Sequence, residues 1–293
     1  MYDLDTAALP PQKSTNVRPF TMRIPPFIRL PFQLVSHVSP RLAGDIGRRI
    51  FFHPARLAYS EAQRKALDGA DRANLTVMGR TIAAYGWGEG PVILLVHGWA
   101  GHAGQMIDLV GPLVARGFRV MAIDMPAHGR SEGSLSSLIH FANAILAARG
   151  QYGPIHGVVT HSLGAAGLIR AVLGGLSIEK VVMMAPQSQF HDIWRAFRNG
   201  MGMSETVWAE MVEISERWLG VPFAEVHPTF GAPKMTAAAL VLHGLNDRVT
   251  PAIEGSRLAS LWPGARLETL EAGHRSILTD ERAIQRAAEF FQT

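Results

Sequence analysis

From residue 75 onward the chain alternates short apolar runs with stretches of helical spacing, and this alternation constrains the fold more than any single motif. The runs 75–78, 81–85, 92–96, 119–123, the one ending at Thr160 or His161, 180–185, 238–243 and 266–270 read as strands, each closed by turn residues such as Gly90-Pro91 or His97-Gly98. Helical spacing lies between them: Met106, Leu109, Val110, Leu113 and Val114, then 135–148, 163–173, 252–261 and 280–291. Strands that are apolar throughout and alternate with helices must be covered on both faces. The prediction is an α/β fold with a mostly parallel central sheet of about eight strands flanked by helices.

One interval breaks the rhythm. Residues 187–236 carry no strand pattern but hold Phe190, Trp194, Phe197, Met201, Met203, Trp208, Met211, Trp218, Phe223 and Phe230. About fifty residues is too long for a connecting loop, so this is read as a helical insertion that suits an apolar ligand. Most of its aromatics are expected to pack the insertion's own small core. The expected organisation is an N-terminal extension, 1–73, partly helical, and a main domain, 74–293, interrupted by 187–236.

The extension is irregular to about residue 33, with one or two helices across about 34–70 and Pro54 as a break. Residues 1–56 hold eight Lys or Arg against Asp3, Asp5 and Asp45, while the rest of the chain is near neutral. Phe20, Ile24, Phe27, Ile28, Phe32, Leu34 and Val35 lie among those charges. Pro19, Pro25, Pro26, Pro31 and Pro40 stand against a long amphipathic helix, so the extension is read as a strap packed on the main domain with its arginine heads in solvent. Peripheral contact with an anionic membrane is the less favoured alternative. No reading motif accompanies the charges, so no nucleic-acid partner is expected.

With 47% hydrophobic and 18% charged residues, the 293-residue chain has the composition of a globular protein. The absence of cysteine excludes disulfides, thiol nucleophiles and cysteine-type zinc sites. No run approaches about 18 apolar residues, and the N-terminus lacks a secretory pattern, so a cytoplasmic protein is expected. Oligomeric state stays open.

Chemistry concentrates at the C-terminal ends of the expected strands, the sheet edge where open α/β folds bind ligands. Ser162 lies between an extended run and a helix rich in small residues, in Thr160-His161-Ser162-Leu163-Gly164. The segment approximates the nucleophile-elbow pattern G-x-S-x-G with Thr160 at the first glycine. Two readings of Ser162 stand on this segment alone, a nucleophile or an N-cap. Asp247 follows the strand ending at His243, and His274 follows the strand ending at Leu270. A serine nucleophile needs an imidazole base and a carboxylate to orient it, and these three strand ends supply all three. Glu268 and Glu271 are the fallback carboxylates. His161 is expected to point away into neighbouring packing.

The order Ser162, Asp247, His274 in these contexts resembles the α/β-hydrolase superfamily, from about residue 75 to 291. The resemblance implies an α/β-hydrolase fold in which 187–236 is the cap. It implies that the backbone N–H groups of Trp99 and Leu163 form the oxyanion hole, with His97 a structural member of its loop. Asp124-Met125-Pro126-Ala127-His128-Gly129-Arg130-Ser131 is similar to the family's D-x-P-G-H-G-x-S segment, with Ala127 where glycine is usual, and Asp124 and His128 are read as loop-forming residues. The implied activity is a serine hydrolase with a small-molecule acyl substrate, a carboxylesterase by default. Serine at the nucleophile position disfavours a dehalogenase or an epoxide hydrolase. A thioesterase, acyltransferase or carbon–carbon bond hydrolase with the same triad, and a non-catalytic ligand-binding scaffold, are the alternatives. His102, His140, His191 and His227 show no metal spacing and no glycine-rich loop matches a dinucleotide fingerprint, so neither metal nor cofactor is expected.

Overall fold

The computed structural model describes residues 21–292, so Asp3, Asp5, Lys13, Arg18, Pro19 and Phe20 lie outside the described residues. Eight strands form one sheet: β1 (Asp71–Val77), β2 (Arg80–Trp87), β3 (Val92–Val96), β4 (Arg119–Ile123), β5 (Ile155–His161), β6 (Lys180–Met184), β7 (Ala238–Gly244) and β8 (Arg266–Leu270). Their spatial order is β1-β2-β4-β3-β5-β6-β7-β8. β2 runs antiparallel to β1 and β4, and all other neighbours are parallel.

The helices are α1 (Pro26–Val38), α2 (Pro40–Phe51), α3 (Glu61–Asp68), α4 (Val110–Val114), α5 (Leu138–Tyr152), α6 (Gly164–Leu173), α7 (His191–Met201), α8 (Glu205–Leu219), α9 (Phe223–Val226), α10 (Pro228–Gly231), α11 (Ala252–Leu261) and α12 (Glu281–Phe290). Successive strand residues point to opposite faces, which explains the unbroken apolar runs. In β3, Leu94 and Val96 join a core with Phe141 of α5, Leu168 of α6 and Leu258 of α11. Ile93 and Leu95 join the opposite core, with Leu67 of α3, Leu113 of α4 and Ile284 of α12.

Two stretches depart from the sequence expectation. The helix expected after β3 is a 3-10 segment, Ala103–Leu109, followed by the short α4. Gly104, Gly111 and Pro112 weaken a regular α-helix there, and the Asp124 carboxylate captures the Ala103 N–H at 2.7 Å. The extension is helical from Pro26 rather than irregular to about 33. Pro26 and Pro40 occupy the first positions of α1 and α2, where a missing N–H costs nothing, and only Pro31 lies inside a helix.

α7 to α10 lie between β6 and β7 in the chain. Their aromatic residues pack a third core, but it is not the insertion's own. Phe32 of α1, Ala43 of α2 and Phe52 share it with Trp194, Phe197, Trp208 and Met211. Gly44 brings α2 close against α8, since a Cβ there would lie 2.9 Å from the Met211 backbone nitrogen. The described part of the extension is therefore strapped to the inserted helices.

Candidate active site

Ser162 occupies the turn between β5 and α6 with φ +51°, a left-handed conformation costly for a residue with a Cβ. Its N–H donates to the Met184 oxygen at 3.0 Å, and its own oxygen accepts from the Ala165 N–H at 3.1 Å. The turn needs two close backbone approaches. A Cβ on Gly164 would sit 2.7 Å from the Val96 oxygen, and one on Gly98 would sit 2.9 Å from the Ser162 Cβ. Thr160 is fully buried in β5, and its Oγ1 has no hydrogen-bond partner among the described residues.

His274, on the loop after β8, turns its Nε2 to within 3.1 Å of the Ser162 Oγ and its Nδ1 to within 2.7 Å of the Asp247 Oδ2. With Nδ1–H donating to the carboxylate, Nε2 is left as the acceptor for the serine hydroxyl. The N-cap reading of Ser162 is excluded: Leu163 holds the N-cap position of α6 and no side chain caps it. Asp247 accepts from the Val249 and Thr250 N–H groups at 2.8 and 2.7 Å through Oδ1, which leaves Oδ2 for His274. Burial pushes the Asp247 carboxyl up, but hydrogen bonds from His243 and His274 and the Thr250 N–H outweigh it and hold the group well below the usual carboxylate range. The fallback carboxylates are engaged elsewhere, Glu268 with Arg286 and Glu271 with Asn246.

Among the described residues, the N–H groups of Trp99 and Leu163 donate to no protein acceptor. His97 is a buried framework residue, its Nδ1–H donating to the Gly98 oxygen at 2.7 Å and its Nε2 accepting from the Met125 N–H at 2.9 Å. Burial takes its pKa down to about 3, so it is neutral. Asp124 is fully buried and accepts from the Ala103 and Arg130 N–H groups and from the Tyr59 and Tyr85 hydroxyls. It organises this loop. Ala127 takes φ +66°, which is the physical reason a glycine suits that position.

Two histidines around this row are not apparent from spacing alone. His161 is buried, as expected, but it packs against the His274 loop rather than away from the site. Its Nε2 lies 2.8 Å from the His274 main-chain oxygen, and burial, with the neighbouring His274, takes its pKa down to about 3. His243 donates through Nε2 to the Thr250 oxygen at 2.8 Å and lies 3.5 Å from Asp247 Oδ2. The signals available are adjacency to Ser162 for His161 and, for His243, its place at the end of the strand before Asp247. The entry to the inserted helices is tied to the same region. Thr250 Oγ1 donates to Gln187 Oε1 at 3.1 Å, while Glu254 of α11 accepts from the Ser188 and Gln189 N–H groups at 2.9 and 3.0 Å.

Similar proteins point the same way. The alpha/beta hydrolase family model matches residues 93–290. A pimeloyl-[acyl-carrier protein] methyl ester esterase from Xanthomonas campestris pv. campestris is 32% identical over 105 residues, 35% of this chain and 40% of the relative. The chain spans well under half the length of the curated relatives it matches, 18% in the case of the Nitrosospira multiformis esterase. Among solved structures, an esterase from Exiguobacterium antarcticum superposes with a TM-score of 0.59 at 16% identity, over 75% of this chain and 99% of that one. A meta-cleavage product hydrolase from Pseudomonas fluorescens IP01 gives 0.57 at 18% identity, over 75% and 97%. These last two likenesses establish the fold. With most of the chain, from β3 to α12, covered by one family match, the protein belongs to the alpha/beta hydrolase family.

Proposed function

We propose that this hydrolase is a serine-dependent carboxylic ester hydrolase acting on an apolar acyl substrate. The reading rests on one observation, the continuous row from Ser162 Oγ through the His274 imidazole to the Asp247 carboxylate, at 3.1 and 2.7 Å. The curated relatives, named as methyl ester esterases, support an ester as the bond cleaved.

In the proposed reaction, His274 Nε2 takes the Ser162 proton as Oγ attacks the acyl carbon. The negative charge on the carbonyl oxygen is met by the N–H groups of Trp99 and Leu163, which have no other acceptor among the described residues. The imidazolium, held by Asp247, then gives its proton to the departing alcohol, leaving an acyl-enzyme. Water deprotonated by the same nitrogen attacks the acyl carbon, and release of the acid returns the proton to Ser162. The inserted helices, tied to the Asp247 loop through Gln187 and Thr250, act as a cap over the apolar part of the substrate. A fluorophosphonate probe and a panel of p-nitrophenyl esters of varied acyl length test the reading. Labelling that depends on Ser162, with turnover rising with acyl length, is expected. A folded sample that neither labels nor hydrolyses any ester overturns it.

A further inference from the structure

α1 is apolar on two sides. Its inner side sends Ile28, Phe32 and Val35 into the core shared with α7 and α8. Its outer side carries Phe27, Leu30, Leu34 and Val38, which are 76, 60, 72 and 87% exposed. Spacings of three and four residues align these four along one line of the helix. Single exposed apolar residues are ordinary on a protein surface, but a row along a whole helix is not.

The charge around this row has one sign. No Asp or Glu occurs from Thr21 to Gly44. Arg23 and Arg29 are exposed, and neither pairs with a carboxylate among the described residues, but the Arg29 guanidinium lies beside Gly202 at the end of α7, away from the row. The Arg41 side chain, 62% exposed, reaches Glu210 only at 3.7 Å. The row offers no polar side chain of its own, and of its backbone groups Pro31 takes the helical donor only from the Phe27 oxygen. A protein partner would find few groups to recognise. A fluid apolar layer edged with phosphates needs none. No described helix is long and apolar enough to cross a membrane. A short helix with one apolar face and basic neighbours instead lies flat at the interface.

We propose that the outer face of α1 docks on an anionic bilayer, with Phe27, Leu30, Leu34 and Val38 in the boundary between headgroups and acyl chains and Arg23 and Arg41 at the phosphates. Because α1 is packed on α2 and α7, and α2 on α8, docking holds the inserted helices beside the lipid.

Co-sedimentation of the full chain with equimolar phosphatidylglycerol and phosphatidylcholine vesicles, against pure phosphatidylcholine, tests this. The full chain binds the anionic vesicles, more weakly as salt rises. Leu30→Ser with Leu34→Ser lowers the partition coefficient roughly tenfold or more, and Arg23→Gln with Arg41→Gln lowers it roughly fivefold per arginine. Circular dichroism melts of both variants keep folding separate from binding, and a melt within a few degrees of the parent is expected. Binding absent from the parent, equal on neutral vesicles, or unchanged in the well-folded leucine variant overturns the proposal. So does a dimer, seen by light scattering, that the leucine variant dissociates, since the face would then belong to a second copy.

Discussion

Nε2 of His161 donates a 2.8 Å hydrogen bond to the main-chain oxygen of His274, and the two imidazole rings lie 4.8 Å apart between centroids. His161 is the residue before Ser162, and burial keeps it neutral. A neutral imidazole with its proton on Nε2 anchors the His274 loop through its main chain. It brings no second base to the serine, because its Nδ1 faces no partner among the described residues. One strand end thereby carries both Ser162 and a clamp for the residue that faces it.

His161→Phe keeps a ring of similar size and removes the donor. On the proposed mechanism, ester turnover falls roughly ten- to a hundredfold in kcat with KM little changed, because the loop loses its register against Ser162. Stability falls by about 1 kcal/mol. Steady-state kinetics beside a thermal melt separate the two effects, and an unchanged kcat would reduce His161 to a core residue.

Ser162→Ala and His274→Ala each lower kcat on a short p-nitrophenyl ester by roughly a million-fold if the row acts as a unit. Asp247→Asn lowers it about ten-thousand-fold, since an amide stabilises the wrong imidazole tautomer. Activity that survives Ser162→Ala removes the serine mechanism.

Gly164→Ala pushes a methyl group to 2.7 Å from the Val96 oxygen and 3.0 Å from the His97 oxygen, both backbone atoms of β3 and its following loop. Neither yields easily, so stability drops by about 1–3 kcal/mol and turnover drops with it. Gly111→Ala is the opposite case. A Cβ there meets nothing within 4 Å, and the α4 helix gains about 0.5–1 kcal/mol from the stiffer unfolded chain. Urea unfolding of the pair gives opposite signs if packing, not composition, decides the outcome.

Acid should unfold the protein early. Burial lowers His97, His128, His161 and His227 to about 3 and His140 to about 4. The folded values lie below the unfolded one, so between about pH 6.5 and 3 the unfolded chain binds more protons and stability decreases as pH falls. Each such histidine adds a slope of up to about 1.4 kcal/mol per pH unit. Asp247, held low, adds its own loss as the pH falls through the ordinary carboxylate range and below it. Urea midpoints at pH 7, 6 and 5 test this, and a midpoint that stays flat across that range contradicts it.

The central strands and most of the helices that follow them were legible from periodicity alone, because a strand buried on both faces is an apolar run and a covering helix has an apolar stripe. β8 and α11 have the expected bounds. The start of the extension was not legible. Pro26 and Pro40 read as breakers but begin helices, since a proline at a first helical position loses no hydrogen bond. The aromatic residues of the insertion were legible as a core, but not as one completed by Phe32, Ala43 and Phe52.

By itself, the sequence determined the α/β alternation and the residues at the strand ends: Ser162, Asp247 and His274 each follow a strand that ends at one sheet edge, the last of them the alternating run 266–270. Tertiary structure alone decided that two strands separate β5 from β8, that His161 holds a residue 113 positions away, and that α1 turns one apolar side inward and another outward. The physical reason is range. Propensity and periodicity act over a few residues and say which side chains share a face. What that face meets is settled only when distant segments close on one another and exclude water.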